Sequence, residues 1–245
     1  MKVLHPHPAS DHPAAWSIQR TTQLSDFSKR VTCKLARSYV ERDAIFKLRY
    51  RSYFHAGLIS KNSFGRYIEP ADHVANAYLM GLYVDRRLVS SLRLQIGTPT
   101  NPTFSLELFP HVLEPLLRSN KTVVDMSCVA ADGELSRPHV WLPYLFLRSW
   151  VLAAEHFRAD YIAAAMRPQH QIFYKRTLDC GLHSELRQPP HQLTTVGLVT
   201  LNFATSVERL YENLPFLRST PSERQQLFKH GSTPSRVTGQ HPPVS

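Results

Sequence analysis

Apolar positions along the chain fall into short alternating runs and a few longer stripes of helical period. The most informative run spans residues 123–129, VVDMSCV. As a strand it places Asp125 and Ser127 on one face and Val124, Met126 and Cys128 on the other. An acid in the middle of an apolar strand needs a partner or a task. Upstream, residues 29–38 read as a strand. Residues 41–54 read as a helix with Ile45, Leu48 and Ser52 on one face, and Arg49 falls on that same inner-leaning face. Residues 57–71 are polar and irregular, the pattern of a mobile lid over a site. Residues 75–84 and 88–96 form two strands joined through Asp85, Arg86 and Arg87, a hairpin. In its second strand, Leu88, Ser90, Leu92, Leu94 and Ile96 make a mostly apolar face, which turns Arg93 away from that core. Residues 106–117 form a helical patch interrupted by Pro110 and Pro115.

After the 123–129 strand, Pro143 opens a helix that runs to residue 157, at a position where its missing N–H does no harm. Arg148, Glu155 and Arg158 give that helix a polar stripe. A buried strand over 160–166, a helix over 168–177 and a final strand over 194–203 complete the pattern. This order predicts an α/β (α+β) protein, a mixed central sheet flanked by helices in a single domain over residues 29–213. Residues 1–28 read as a flexible arm, and residues 214–245 as a basic, proline-containing tail.

With 245 residues, 42% of them hydrophobic, the chain is long enough to bury a sizeable core. Its formal charge of +10 calls for an acidic partner: nucleic acid, an anionic membrane, a phosphorylated cofactor or an acidic carrier protein. No apolar run approaches the roughly 20 residues of a membrane-spanning helix, and the N-terminus lacks the apolar segment of a signal peptide. Cys33, Cys128 and Cys180 lack metal-ligand spacing and suit a reduced, cytoplasmic protein. His5, His7 and His12 stand among prolines, a setting of solvated side chains more than of a metal site. No helix-turn-helix, zinc or RNA-binding signature supports nucleic acid as the partner.

The run IFKLRYRSYFHAGLIS, the hairpin GLYVDRRLVSSLRLQIG, the strand VVDMSCVAAD, the helix LPYLFLRSWVLAAEHFRADY and the segment AAAMRPQHQIFYKR together resemble the N-acyl amino acid synthase family. That family is related to the acyl-homoserine-lactone synthases and is built on the GNAT acyltransferase fold. The likeness covers residues 30–205 and rests on the order of several motifs. It implies transfer of a fatty acyl group from a thioester to the amine of an amino acid. The donor it implies is an acyl-phosphopantetheine, on acyl carrier protein or coenzyme A, as substrate, with no bound cofactor. The resemblance puts the family's strand acid on Asp125, its helix arginine on Arg49, its hairpin arginine on Arg93, its tyrosine on Tyr174 and the acid after the first helix on Asp72. Two features depart from the pattern. Cys128 stands where relatives carry arginine, and the glycine loop that binds a pyrophosphate is not recognisable in AADGELSRPHVWLP.

Amide formation from a thioester requires a neutral amine, a stabilised oxyanion and a proton for the departing thiolate. Asp125 is the candidate base, or else a structural partner of Arg49 or Arg93, with Ser127 beside it on the substrate side. Arg49 is aimed at a carboxylate or substrate, or else snorkels at the core edge. Tyr174 is the candidate acid for the thiolate, or an aromatic packed under its helix. His170 is a rival base, or a surface residue at a helix start. Cys128, read on the face of Val124 and Met126, is inert core. Trp141, Leu145 and Phe146 form an apolar wall suited to an acyl chain, or are plain core. Arg148, Arg158, Lys175 and Arg176 suit a docked acyl carrier protein, or are a solvated face. Two other activities fit the same fold: an acyl-homoserine-lactone synthase that takes its amine from S-adenosylmethionine, and a degenerate protein that binds a lipid or partner.

Overall fold

The computed structural model describes residues 18–229. Its centre is a seven-stranded sheet built from β1 (Val31–Leu35), β2 (Ala77–Val84), β3 (Arg87–Gly97), β4 (Val123–Ala131), β5 (Tyr161–Met166), β6 (Gly181–Arg187) and β7 (Val196–Asn202), in the order β1-β2-β3-β4-β5-β7-β6. Every neighbouring pair is antiparallel except β4 and β5. The helices are α1 (Ile18–Lys29), α2 (Tyr39–His55), α3 (Phe104–Leu108), α4 (Pro110–Arg118), α5 (Leu142–His156), α6 (Pro168–Leu178), α7 (Phe203–Asn213) and α8 (Pro221–Phe228).

Alternation along the central strands separates two faces. Leu92, Leu94, Val124, Met126 and Ile162 point into a core shared with Trp150, Val151 and Leu147 of α5 and with residues of α1, α6, α7 and α8. On the other face, α3 and α4 cover Val123, Ala163 and Leu198, while α2 covers Cys128 and Ala130. Trp150 fastens the first core to the sheet by donating to the Val124 carbonyl at 2.9 Å. Two left-handed residues, Asp85 and Arg86, make the tight β2–β3 turn. α2 begins with a reciprocal capping box: the Ser38 hydroxyl accepts from Glu41 N, and the Glu41 carboxylate accepts from Ser38 N.

Several sequence expectations need correction. Residues 18–28, expected in the arm, belong to α1, whose Leu24 and Phe27 are buried in the main core. Part of the expected tail returns as α8, held to the polar stripe of α5 by Arg148–Glu223 and Arg224–Glu155 ion pairs, with Phe228 buried. The stripe is polar because it carries a helix on ion pairs. β6 and α7 had no sequence counterpart; β6 is an edge strand with mostly exposed side chains and little apolar alternation. Pro110 ends one helix and starts the next, whereas Pro115 sits inside α4 without breaking it. Segment 57–69 is irregular as expected, yet it is pinned: Leu58 N donates to Tyr53 O, Tyr67 N to Phe46 O and Leu193 N to Leu58 O, and Ile59 and Tyr67 are buried. The remaining arm and tail residues, with His5, His7 and His12, lie outside the described residues.

Backbone bonds from Ser38, with help from Lys34 and Arg37, hold the Glu41 carboxyl down at about 2 against burial, which raises it. A depressed acid stabilises the fold above its unfolded pKa and loses that contribution as pH falls towards the folded value. Glu41→Gln is therefore expected to lower stability at pH 7 by about 1 kcal/mol, in the range of lost helix caps. The difference in unfolding temperature from wild type should shrink between pH about 4.5 and about 2. A difference independent of pH would deny the carboxylate this role.

Candidate active site

β4 and β5 pair only at their first three residues, Val123, Val124 and Asp125 with Tyr161, Ile162 and Ala163. Beyond that point β4 stays with β3 and β5 with β7, so the sheet opens into a V. The vertex is tied by Ser105 of α3. Its hydroxyl donates to Asp125 Oδ1 at 2.7 Å and accepts from Ala165 N at 3.0 Å, while its backbone N–H donates to Asp125 Oδ2 at 2.7 Å. Gln95, the residue opposite Asp125 on β3, accepts from Phe104 N at 3.0 Å. Two neighbouring strands thus supply the acceptors that the N-terminus of α3 lacks. Asp125 is fully buried. Burial pushes its carboxyl above the usual range, with the Ser105 bonds acting in the opposite sense. It makes no ion pair with Arg49 or Arg93.

Past the vertex the register of β3 and β4 shifts. Arg93 faces Ser127 and Ser91 faces Ala130, so Cys128 and Val129 together oppose Leu92 in a β-bulge. Cys128 takes the left-handed conformation, φ +50°. That backbone reversal overturns the expected alternation: Cys128 leaves the face of Val124 and Met126 and joins Leu48, Tyr53, Ile59 and Tyr67 on the α2 side.

There it borders a buried ionic cluster. Arg49 of α2 lies 2.8 Å from Asp72 Oδ1, and Arg93 of β3 reaches the same oxygen at 3.1 Å. Arg93 Nη2 stands 2.8 Å from Glu69 Oε2, an ion pair by distance although its hydrogen-bond angle is poor. Arg93 Nε donates to Ser127 Oγ at 3.0 Å. Glu69 also accepts from the Tyr67 hydroxyl at 2.6 Å and from the Cys128 thiol at 3.2 Å. Asp72 Oδ2 accepts from Glu69 N at 2.8 Å, which folds the two acids into one 3₁₀ turn over Pro70–Asp72. Two guanidinium groups face two carboxylates, so the charges balance. Burial drives Asp72 up, but Arg49 and Arg93 outweigh it and hold its carboxyl below the usual range. Burial pushes the Cys128 thiol up to about 12, with Arg93 opposing and Glu69 adding to the rise; at neutral pH it is a donor and not a thiolate nucleophile.

Arg49 is therefore aimed at a carboxylate, and the snorkelling alternative falls. Arg93 does face away from the apolar core, but into a second buried layer under α2. Glu69, Tyr67 and Ser105 were missed. The signal for the first was available in Glu69-Pro-Ala-Asp72, two acids spaced as a reciprocal cap around a proline.

Tyr174 lies on the opposite face of the sheet, buried on α6 with its ring edge-on to Trp150. Burial pushes its hydroxyl above the ordinary range. Trp141, Tyr144 and Phe173 form an aromatic chain beside it. Leu145 and Phe146 are buried in the α5 core, and Leu145 also borders a cavity of about 590 Å3 at the β1 edge, with Cys33 and Arg148. His170 Nε2 is 2.8 Å from Arg167 at the start of α6. Of the surface cations named from sequence, Arg148 is bound to Glu223 and Lys175 to Asp179, whereas Arg158 and Arg176 are exposed.

The sheet splits between two parallel strands, with a bulge just past the split, and the fold is GNAT-like, as in the acyltransferases it is similar to. Residues 44–202 match the family of N-acyl amino acid synthase FeeM, and the chain belongs to that family. Among solved structures it is similar to FeeM, an N-acyl amino acid synthase from uncultured soil microbes, with a TM-score of 0.59 and 16% identity over 71% of this chain and 92% of that one. The acyl-homoserine-lactone synthase LasI follows at 0.54 and 14%, over 74% and 93%. TofI, solved in a ternary complex with an inhibitor and MTA, gives 0.56 and 15%, over 77% and 100%. No curated protein matches the chain.

Two substitutions test the reading of the bulge. Cys128→Ser keeps a donor for Glu69 and is expected to stay within about 1 kcal/mol of wild type, whereas Cys128→Val removes it, puts a branched side chain at positive φ and should cost about 2 kcal/mol. Equal stability of the two by urea denaturation would contradict the Glu69 contact. For Asp125→Asn, loss of a buried charge-assisted acceptor predicts a fall of about 1–3 kcal/mol in stability, separate from any effect on turnover.

Proposed function

We propose that the protein transfers a fatty acyl group from a phosphopantetheine thioester to the amine of an amino acid or similar small amine. The observation that carries this is the split of β4 from β5, flanked by a polar site on one face and an aromatic one on the other. The opening strands leave backbone groups without a strand partner, as an extended pantetheine arm requires. The bulge at Cys128 and Val129 takes a backbone residue out of the ladder beside that arm, where an N–H would serve the oxyanion of the tetrahedral intermediate. Tyr174, kept protonated by burial, is the donor for the departing thiolate, and Trp141, Tyr144 and Phe173 offer the acyl chain an apolar path. The ionic cluster of Arg49, Asp72, Arg93 and Ser127 forms the acceptor side. His170, bonded to Arg167 at the head of α6, stands at the donor entrance.

Asp125 serves as the anchor of α3 at the vertex, with the role of orienting the base side of the site and not of taking the proton itself. The donor is acyl carrier protein in preference to coenzyme A, because the chain carries +10 and the loop after β4 has no glycine-rich phosphate cradle. A cytoplasmic setting follows from that donor. LasI is an acyl-homoserine-lactone synthase, and another synthase of that kind, BjaI, was solved with S-adenosylmethionine, which makes that compound the rival amine source.

The test supplies lauroyl-acyl carrier protein or lauroyl-coenzyme A with a mixture of amino acids, or with S-adenosylmethionine, and identifies products by mass spectrometry. N-lauroyl amino acids are expected, formed faster from the carrier protein. The preference should weaken between 0.1 M and 1 M salt as the Debye length falls from about 10 Å to about 3 Å. A lactone product would make the protein a homoserine-lactone synthase, and no acylated amine at all would make it a binding protein. Tyr174→Phe is expected to lower kcat by about 10²-fold or more with little change in donor KM; an unchanged kcat would remove Tyr174 from the chemistry.

A further inference from the structure

The acceptor amine needs a pocket, and one opens beside the ionic cluster. A cavity of about 500 Å3 lies between segment 57–69 and the loop 188–193 that precedes β7. Its buried end holds Ile59, Tyr67 and Glu69, and its open end Ile68, Leu193 and Lys61. Gln192 reaches across from the loop and donates to the Tyr67 hydroxyl at 3.2 Å, and Leu193 N donates to Leu58 O at 2.7 Å, so the two walls are joined. Lys61 makes no ion pair among the described residues.

Glu69 is placed differently from Asp125. Both Asp125 oxygens are held by Ser105, and Asp125 borders neither of the two cavities described. Glu69 lines the pocket. A carboxylate offers about two acceptor positions on each oxygen. Oε2 takes the Cys128 thiol and lies against Arg93, whereas Oε1, among the described residues, takes the Tyr67 hydroxyl at one of those positions. Through Cys128, Glu69 is one hydrogen bond from the bulge of β4, past the split of the sheet.

We propose that Glu69 receives the acceptor amine, and that this cavity is the acceptor pocket, shaped for a primary amine bearing an apolar side chain and a carboxylate. The inference rests on the acyl transfer proposed above and names its acceptor site. The ammonium docks on Glu69 and gives it one proton. The freed nitrogen attacks the thioester carbon; the new C–N bond forms and the C–S bond breaks. Tyr174 gives its proton to the departing sulfur and is restored by the nitrogen's second proton, leaving amide and thiol, and Glu69 returns the first proton to solvent. Ile59, Ile68 and Leu193 surround the side chain, and Lys61 at the mouth faces the carboxylate.

Leucine, leucine amide and lysine are the probes, with lauroyl-acyl carrier protein as donor. Leu193→Trp fills the open end without entering the ionic cluster. It is expected to raise the KM for leucine by about tenfold and to leave the donor KM within about twofold. Glu69→Gln should lower kcat/KM for leucine by about 10²-fold, with Glu69→Asp recovering part of the loss. Lys61→Met should erase the preference for leucine over leucine amide, and wild type should favour leucine over lysine. If Glu69→Gln fails to fold, Leu193→Trp and Lys61→Met decide. A wild type that acylates leucine while both rim variants leave its KM unchanged overturns the pocket alone. A wild type that acylates none of the three probes overturns the pocket, and if no other amine is acylated either, the transfer reading falls with it.

Discussion

The interaction on which the α2 face of this molecule depends is the buried meeting of Arg93 with Asp72 and Glu69. Arg93 lies on β3, the two acids on the turn before β2, Arg49 on α2, and Ser127 and Cys128 on β4. Four separate pieces of chain are thus fixed by one balanced set of charges. Taking an ion out of water costs several kcal/mol, and removing one partner of a buried pair costs about 3–5 kcal/mol because the other is left uncompensated. Such a cluster is a poor source of net stability. What it supplies is position: it fixes the end of the irregular segment 57–72, which through Glu69 and Tyr67 forms the wall of a cavity.

The same cluster explains the departure at Cys128. A third guanidinium at this position would break the two-against-two balance unless another acid were added, and the described residues show none. A neutral thiol that donates to Glu69 leaves the balance intact. The left-handed backbone that turns the thiol toward Glu69 is also what lifts the bulge from the ladder. Charge compensation and the local opening of β4 are therefore linked at one residue.

Much of this was legible in the sequence. Alternation at 123–129 and 88–96 and the helical stripe of 143–157 placed three central elements to within a few residues, because their buried faces are continuous and apolar. The faces of Asp125, Ser127, Arg93 and Arg49 came from the same periodicity. What periodicity does not carry is the interruption of itself. Cys128 was put on the wrong face because a bulge shifts alternation by one residue with no change in composition. The pairing of Asp125 with Ser105 was hidden because a five-residue helix twenty positions away has no pattern of its own. α1 and α8 were missed because, among the described side chains, the large residues they bury are Leu24 and Phe27 or Phe228, and each segment otherwise reads as a polar terminus.

The central claim is that the thioester arm lies in the split between β4 and β5, between the ionic and aromatic faces. A pantetheine probe carrying a photoreactive acyl chain, with labelled peptides mapped by mass spectrometry, tests it most directly. Labelling within residues 126–131 of β4, residues 164–166 of β5 and the aromatic positions Tyr144 and Phe173 is the predicted result. Labelling instead around Cys33, Ser149 and Leu227, in the cavity at the β1 edge, would place the acyl chain at the edge of the sheet, away from the split, and contradict the account.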